Sequence, residues 1–228
     1  AASELGRLFA DEGFAISSHH SLTANFAPLD RSQREVLDKL ARNIEFGARL
    51  KANVLVTHPE RSAGHHKTVE SIYAAYLREE ERHGRDAVIG VIADNFRAMG
   101  EWARAAGLTV AIENLGKFGP LGDLETLPLL VRRTDHPCVG YCLDAGHAHA
   151  FGESVPQWVE VMGEKLFTTH FHDNRGKLAG VPLQTRFVAA GKAVDEHLSP
   201  GFGTIPWIGV IQALRRIGYR HPVNFETG

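Results

Sequence analysis

Cysteine, long apolar runs and an excess of either charge are all scarce in this chain of 228 residues. The two cysteines, Cys138 and Cys142, lie on one strand-like run in a geometry that does not favour a disulfide, so a reducing cytoplasm is the expected location. No apolar run approaches the roughly 18 residues of a membrane-spanning helix, and the start of the chain lacks a signal-peptide core. The net charge of −2 gives no general attraction to nucleic acid or to an anionic membrane.

Short apolar runs alternate with amphipathic stretches along the whole chain. This pattern is typical of repeated strand–helix units, and it predicts an α/β fold with a parallel sheet. Six strands are predicted, at Phe14–Ser18, Asn53–Thr57, Thr109–Ile112, Val139–Leu143, Phe167–Phe171 and Pro222–Phe225. The predicted helices are Arg31–Leu50, Thr68–Ala106 with a break near Arg85, Leu124–Arg133, Pro156–Lys165 and Trp207–Ile217.

Nothing in this alternation marks a linker or a repeat, so residues 1–228 are predicted to form one domain. Six strands are too few for an eight-stranded barrel, which leaves two architectures open. Either the sheet is open and doubly wound, or roughly two strands of a barrel precede the helix-like start AASELGRLFADEG. The longest irregular segment, Asn174–Pro206, begins and ends beside histidine clusters, which favours a functional loop.

Every predicted strand is closed by a residue that can bind a metal. The residues are His19, His58, Glu113, Asp144, His170 and Glu226. Because the carboxyl ends of parallel strands face the same edge of a sheet, these side chains are expected to converge. Taken singly, a strand-terminal carboxylate is more often a helix cap or a salt-bridge partner than a metal ligand. The joint pattern indicates a metal site, since buried charges gathered at one rim need a counter-ion.

Further donors lie in the loops that follow the strands. Asp144 and His147 form a D-x-x-H pair, and Asp195 and His197 form a D-x-H pair. Imidazole suits zinc and other first-row metals, while carboxylate also suits manganese, so zinc or manganese is expected rather than calcium. His20 and His149 are interpreted as neighbours that orient the ligands.

Seven segments resemble the xylose isomerase-like barrels, a superfamily of sugar isomerases, epimerases, dehydratases and endonuclease IV. They are SHHSLTANF, VLVTHPE, VAIENLG, YCLDAGHAHAFG, HFHDNRG, VDEHLSPGFGTIPW and VNFETG. The resemblance implies a TIM (β/α)8 barrel with a divalent metal at its C-terminal mouth and with the first one or two strands absent from this chain. A six-stranded sheet would leave two unpaired edges, so about 40–50 further N-terminal residues, or a partner chain, are expected to cover the gap.

The resemblance implies two sets of metal ligands. In the isomerase and epimerase branch one ion is held by residues that correspond to Glu113, Asp144, His170 and Glu226. In endonuclease IV a zinc cluster uses nine ligands, which adds residues corresponding to His19, His58, His147, Asp195 and His197. One to three ions are therefore expected.

The branches imply different reactions. In the first, a sugar, sugar phosphate or related polyol is isomerised or epimerised through a metal-stabilised enediolate, with Glu113 and Glu226 moving the proton. His147, His172, Arg175 and His197 would bind substrate, and Lys177 or Arg186 could hold a phosphate.

The alternative is an endonuclease IV-like zinc phosphoesterase, which would account for the additional histidines. A metal-binding scaffold without catalysis is a third reading, and the intact glutamates disfavour it. The expected partner is a small polyhydroxylated molecule rather than nucleic acid or a membrane, and a homo-oligomer stays open.

Overall fold

A computed structural model of the chain describes residues 2–21, 34–59, 69–116, 120–176 and 195–228. Within these ranges five strands are present: β1 (Ser18–His20), β2 (Val54–Thr57), β3 (Thr109–Glu113), β4 (Val139–Asp144) and β5 (Leu166–His170). Eight α-helices are described: α1 (Ala2–Asp11), α2 (Arg34–Leu50), α3 (Val69–His83), α4 (Arg85–Ala106), α5 (Thr126–Thr134), α6 (Ala145–Ala150), α7 (Val155–Met162) and α8 (Trp207–Arg216). A short 3-10 turn at Gly163–Lys165 precedes β5.

The strands form one parallel sheet in the order in which they occur along the chain, from β1 to β5. A doubly wound sheet reverses its strand order at a switch point, whereas a barrel adds each strand beside the previous one. The sequential order therefore confirms a TIM-barrel arrangement of strands and excludes the doubly wound alternative for the described residues.

Two strand predictions need correction. The first strand is Ser18–His20 rather than Phe14–Ser18, because the residues that pair with β2 are Ser18, His19 and His20. The predicted strand Pro222–Phe225 is only an isolated parallel bridge between Phe171 and Phe225. Proline lacks the backbone N–H that a ladder requires, which shortens the pairing at Pro222.

The segment around this bridge joins the two ends of the sheet. The Asn224 side chain accepts a 2.8 Å hydrogen bond from the Ser17 hydroxyl beside β1 and donates a 2.6 Å bond to Thr168 Oγ1 in β5. Phe171 N–H donates to the Asn224 carbonyl, and Glu226 N–H donates to the Phe171 carbonyl. The sheet is therefore curled, and Glu226 is fixed beside the end of β5.

The alternation of side chains along each strand separates two faces. The main core, between the sheet and the helices, contains Leu55, Val110, Ile112 and Leu143. A smaller cluster on the opposite face contains Val54, Val56, Ala111 and Cys142. The inward face therefore carries small apolar groups at its base, and its ends carry the polar residues described below.

The helix predictions agree with the structure to within a few residues. The predicted break near Arg85 is at Gly84, which has a φ of 84° between α3 and α4. Helix α6 was not predicted, because six residues after a strand give too short a pattern. In the described part of the chain, no helix is long and apolar enough to cross a bilayer.

Candidate metal centre

Four of the predicted ligands meet at the carboxyl ends of the strands. Glu113 ends β3, Asp144 ends β4, His170 ends β5, and Glu226 follows the bridge at Phe225. One donor atom from each of the four lies within 4.8 Å of the donor atoms of the other three. We call these four residues the central group.

Glu113 is the most heavily contacted member of the central group. Its Oε2 lies 3.0 Å from His20 Nε2, 3.4 Å from His58 Nε2 and 3.4 Å from His170 Nδ1. Burial alone would raise the pKa of Glu113, but its contacts with His170, His20 and His58 hold that pKa well below its usual range. Glu113 is therefore an enclosed carboxylate that is ionised at neutral pH.

Glu226 differs from Glu113 in exposure. Its side chain is 46% exposed, against 2% for Glu113, and its Oε2 lies 3.0 Å from His170 Nδ1. The close contact with His170 lowers the pKa of Glu226. Burial would lower the pKa of His170, but contacts with Cys142, Glu113 and Glu226 raise it. The two glutamates thus lie at the same site with different access to the mouth of the barrel.

A second group of donors lies around the start of α6. Asp144 is the N-cap of this helix, and its Oδ1 accepts a 2.7 Å hydrogen bond from His147 N–H. His172 Nε2 lies 3.0 Å from Asp144 Oδ1, and His147 Nδ1 lies 3.5 Å from Asp144 Oδ2. Burial alone would lower the pKa of His147, but Asp144, Asp195 and Glu113 raise it to about 10.

Asp195 and His197 approach this second group from the long loop. Asp195 Oδ2 lies 3.3 Å from His147 Nε2 and 3.1 Å from His197 Nε2. The His197 ring stacks on that of His172, with centroids 4.1 Å apart. The hydrogen bond with Asp195 raises the pKa of His197 to about 9. The loop therefore adds Asp195 and His197 to the donor residues, on the side of His147 and His172.

The structure places His20, rather than His19, among the donor residues at the mouth of the barrel. His20 pairs with Val56, whose side chain is on the inward face, and His19 pairs with Leu55, which is in the main core. Paired residues on neighbouring strands share a face, so His19 points toward the helices, where its ring lies 5.0 Å from that of Phe46. The predicted position of His19 is corrected, and His20, interpreted from the sequence as a neighbour, contacts Glu113 directly.

Arg175, predicted to bind substrate, lies at the base of the loop. Its guanidinium donates a 2.6 Å hydrogen bond to Glu196, and its backbone N–H bonds to the same carboxylate. Arg175 therefore holds the loop through Glu196 rather than binding at the central group. Lys177 and Arg186 lie outside the described residues.

Sequence reasoning missed three residues that hold the ligands in place. Asn114 exchanges hydrogen bonds with the backbone N–H and carbonyl of Asp144. Asp173 accepts four hydrogen bonds from the segment that includes Gly201 and Trp207 and from Asn174. Gly146 lies against His172 so closely that a Cβ there would overlap the imidazole ring. The only sequence signal was that these residues are close to ligands along the chain, in VAIENLG, YCLDAGH and HFHDN.

The donor atoms fit a divalent metal ion. His170 Nδ1, His172 Nδ1 and Asp195 Oδ1 are buried and have no hydrogen-bond partner, although His170 Nδ1 is close to Glu226. Buried polar atoms without partners are rare in native proteins, and such atoms can serve as ligands of a metal ion. Neutral imidazole and carboxylate are ligands of zinc and manganese. The central group would therefore hold such an ion.

A known protein family matches the whole length of the chain. The family model described as Xylose isomerase-like TIM barrel matches residues 1–228. The uncharacterized protein y4fM of Sinorhizobium fredii is 31% identical over 118 residues, which are 52% of this chain and 33% of that protein. The 3-dehydroshikimate dehydratase of Pseudomonas putida is 25% identical over 138 residues, which are 60% of this chain and 20% of that protein. The chain thus spans a third or less of the length of these two relatives.

Solved structures agree on the fold. A D-tagatose 3-epimerase-like protein superposes with a TM-score of 0.73 at 23% identity, covering 99% of this chain and 75% of that one. The IOLI protein with a binding zinc atom gives a TM-score of 0.70 at 18% identity, covering 100% of this chain and 72% of that one. At these identities the likeness establishes the architecture of the chain.

Proposed function

The chain belongs to the xylose isomerase-like TIM-barrel family, and from that premise we propose that it is a divalent-metal-dependent isomerase or epimerase of a sugar, sugar phosphate or related polyol. The observation that carries the proposal is the central group, in which two glutamates, an aspartate and a histidine converge within 4.8 Å. The D-tagatose 3-epimerase-like neighbour and the zinc atom of the IOLI protein support this choice.

The proposed metal is held by Glu113, Asp144, His170 and Glu226. A divalent ion in this place would polarise adjacent oxygens of a substrate and lower the pKa of the proton on the carbon between them. Asn114 fixes the backbone of Asp144 on both sides, and His20 and His58 fix Glu113. Such supporting contacts set the orientation of ligands, so they belong to the proposed site.

The two glutamates have unequal parts in the proposed proton transfer. Glu226 is half exposed and faces the mouth, so it can reach a substrate. Glu113 is enclosed, and three histidines contact one of its oxygens. We therefore assign the first proton abstraction to Glu226. Glu113 would return the proton on the opposite side of the substrate. General bases of this kind contribute about 10²- to 10⁴-fold to a rate.

His147 is suited to bind a substrate oxygen. His147 Nδ1 lies 3.4 Å from Glu113 Oε1 and Nε2 lies 3.3 Å from Asp195 Oδ2, so the ring is at the edge of the central group, and an imidazole N–H can donate to a substrate oxygen. His172 and His197 stack beside it and close that side of the site. These three histidines and the ligands would together contact a polar, oxygen-rich molecule.

A zinc phosphoesterase is the second candidate, and a specific observation favours it. Donor groups continue on both sides of the central group, as His20 with His58 and Glu113, and as His172 with Asp195 and His197. Two or three ions could stabilise both oxygens of an in-line displacement at phosphorus. Epimerisation needs only the central group, so the number of bound ions separates the two reactions.

The proposal is tested with ketohexoses in deuterated water. Metal-loaded protein incubated with D-tagatose or D-fructose should exchange a carbon-bound hydrogen for solvent deuterium, which proton NMR detects. Glu226→Gln should lower the exchange rate by at least about 100-fold, because it removes both a ligand and a base. Glu160→Gln, a surface glutamate paired with Arg216, is the matched control and should leave the rate unchanged.

Bis(p-nitrophenyl) phosphate is the probe for the second candidate. Cleavage of this phosphodiester, together with absence of deuterium exchange in a panel of ketohexoses, sugar phosphates and inositols, would overturn the isomerase proposal. Full exchange activity in Glu226→Gln would overturn the assignment of the base.

A further inference from the structure

A thiol lies beneath the central group on the inward face of the barrel. Cys142 precedes Asp144 by two residues on β4, so both side chains point to the same face. Cys142 pairs in register with Glu113 on β3 and with Thr168 on β5. Cys142 is therefore level with Glu113 and one inward-facing layer deeper in the barrel than Asp144 and His170, at a position that the proposed reaction does not use.

Two potential ligands lie within reach of this sulfur. One donor atom each from Glu113, Cys142 and His170 lies within 4.8 Å of the other two. Cys142 is fully buried, and Glu113 and His170 are only 2% and 8% exposed. His170 Nδ1 has no hydrogen-bond partner, although its side chain is nine-tenths buried. The group is thus a buried cluster of sulfur, nitrogen and oxygen donors, and its His170 Nδ1 makes no hydrogen bond although it lies 3.0 Å from Glu226 Oε2.

We propose that Glu113, Cys142 and His170 form a lower metal seat that selects thiophilic divalent ions. Thiolate ligands favour zinc, cadmium and other soft ions, whereas magnesium and manganese prefer oxygen. Binding replaces the thiol proton with a sulfur–metal bond, and the proton is released to solvent. Cys142 thereby makes the site bind soft ions more tightly than hard ones. The oxygen-rich central group alone would select between them only weakly.

The lower seat and the central group share Glu113 and His170. An ion bound to Cys142 therefore competes with an ion bound to Asp144 and Glu226 for the same imidazole. It follows that cadmium should favour the lower seat, whereas manganese should favour the central group. The inference needs only the ligand geometry, so it does not depend on which reaction the protein catalyses.

The test is a cadmium titration of the full chain after removal of bound metal with EDTA. Wild-type protein should develop the ultraviolet charge-transfer absorption of a cadmium–thiolate bond. Cys142→Ser should lose this absorption and bind cadmium at least about tenfold more weakly, with manganese affinity changed less than about threefold. Cys138→Ser removes the other cysteine, which is partly exposed, and should leave both the absorption and the affinity unchanged.

Three results would overturn the lower seat: no charge-transfer absorption in wild type, the same absorption in Cys142→Ser, or its loss in Cys138→Ser. If the serine variant does not fold, as shown by its circular dichroism, cadmium NMR of the wild-type protein decides. A chemical shift in the range of sulfur-ligated cadmium supports the seat, and one typical of oxygen and nitrogen ligands alone refutes it. Neither readout involves a substrate, so either result is independent of the deuterium-exchange assay.

Discussion

At the scale of single residues, the site depends on small groups that are not ligands. Gly146 is in the first turn of α6, and the His172 ring occupies the space that its side chain would fill. His172 in turn bonds to Asp144, a member of the central group. The histidines and carboxylates were found from the sequence because metal chemistry restricts ligands to a few residue types. The glycine was not found, because its role is defined only by the neighbour that packs on it.

Gly146→Ala should therefore weaken metal binding without touching a ligand. The added methyl group displaces His172, which frees Asp144 to rotate, and loss of such a supporting contact typically costs 10- to 100-fold in metal affinity. Isothermal titration with manganese measures the change. Gly90→Ala is the control, because a Cβ at Gly90 of α4 meets nothing within 4 Å. That variant should bind metal normally and melt slightly higher, since alanine favours a helix over glycine.

At the scale of elements, the residues at the strand ends could be predicted from the sequence. Which side chains of β1 face into the barrel could not. Five of the six residues named as strand ends lie at the mouth: His58, Glu113, Asp144, His170 and Glu226. His19 and His20 are adjacent, and each is a candidate by residue type. Only the pairing of His20 with Val56 decides which of them faces inward, and register with another strand is not contained in a local pattern.

The two histidines form a matched pair for mutation. His20→Ala should lower manganese affinity by about tenfold, because it removes the 3.0 Å contact that holds Glu113. His19→Ala should leave the affinity unchanged and act on the free energy of unfolding alone, since its ring packs on Phe46. Equal losses of affinity in the two variants, or a loss in His19→Ala only, would show that the register of β1 is wrong.

The loop after β5 is held by one buried carboxylate. Each oxygen of Asp173 accepts two N–H donors, two of them from Gly201 and Trp207. In Asp173→Asn the amide NH2 must face two of these donors, whichever way it is turned. Leaving such buried donors unpaired costs about 1–3 kcal/mol each.

We expect Asp173→Asn to lower the free energy of unfolding and to raise KM, with metal content unchanged. The reason is that Asp195 and His197 lie on the loop, where the proposed substrate would bind, whereas Glu113, Asp144 and His170 end strands. Urea unfolding and steady-state kinetics measure the two effects. Asp123→Asn, at the start of α5, also loses a capping carboxylate and should lower stability without changing KM. A metal-free Asp173→Asn protein would contradict this division of roles.

At the scale of the whole molecule, the alternating strand–helix pattern predicted the parallel sheet, because burial on both faces gives strands a continuous apolar run. The pattern could not give the order of the strands, which is a tertiary property. The pattern also predicted a full strand at Pro222–Phe225, where the structure has only one bridge. An apolar run looks the same in the sequence whether or not a neighbouring strand pairs with it.

The carboxylate–histidine network makes the stability of the metal-free protein dependent on pH. Hydrogen bonding to Asp195 raises the pKa of His197 to about 9, above its ordinary value near 6.5. A raised pKa contributes stability that is fully present below the ordinary value and is lost as the pH rises through the folded-state value. The contribution of His197 should therefore disappear between pH 6.5 and about 9.

Urea unfolding in EDTA at pH 6, 8 and 10 measures this contribution as the difference between wild type and His197→Gln. The difference should decrease as the pH rises. Burial lowers the pKa of His149, so the difference between wild type and His149→Gln should stay constant above pH 7. A wild-type advantage over His197→Gln that is as large at pH 10 as at pH 6 would be inconsistent with an Asp195–His197 ion pair.

In the proposed mechanism, Glu113, Asp144, His170 and Glu226 hold the ion that proton transfer requires. The most direct test is the number of divalent ions per chain, measured by elemental mass spectrometry on purified protein after loosely bound ions have been removed. The isomerase account predicts about one zinc or manganese ion per chain. Two or three tightly bound zinc ions would contradict it in favour of phosphoester hydrolysis, and a protein that takes up no ion would contradict both.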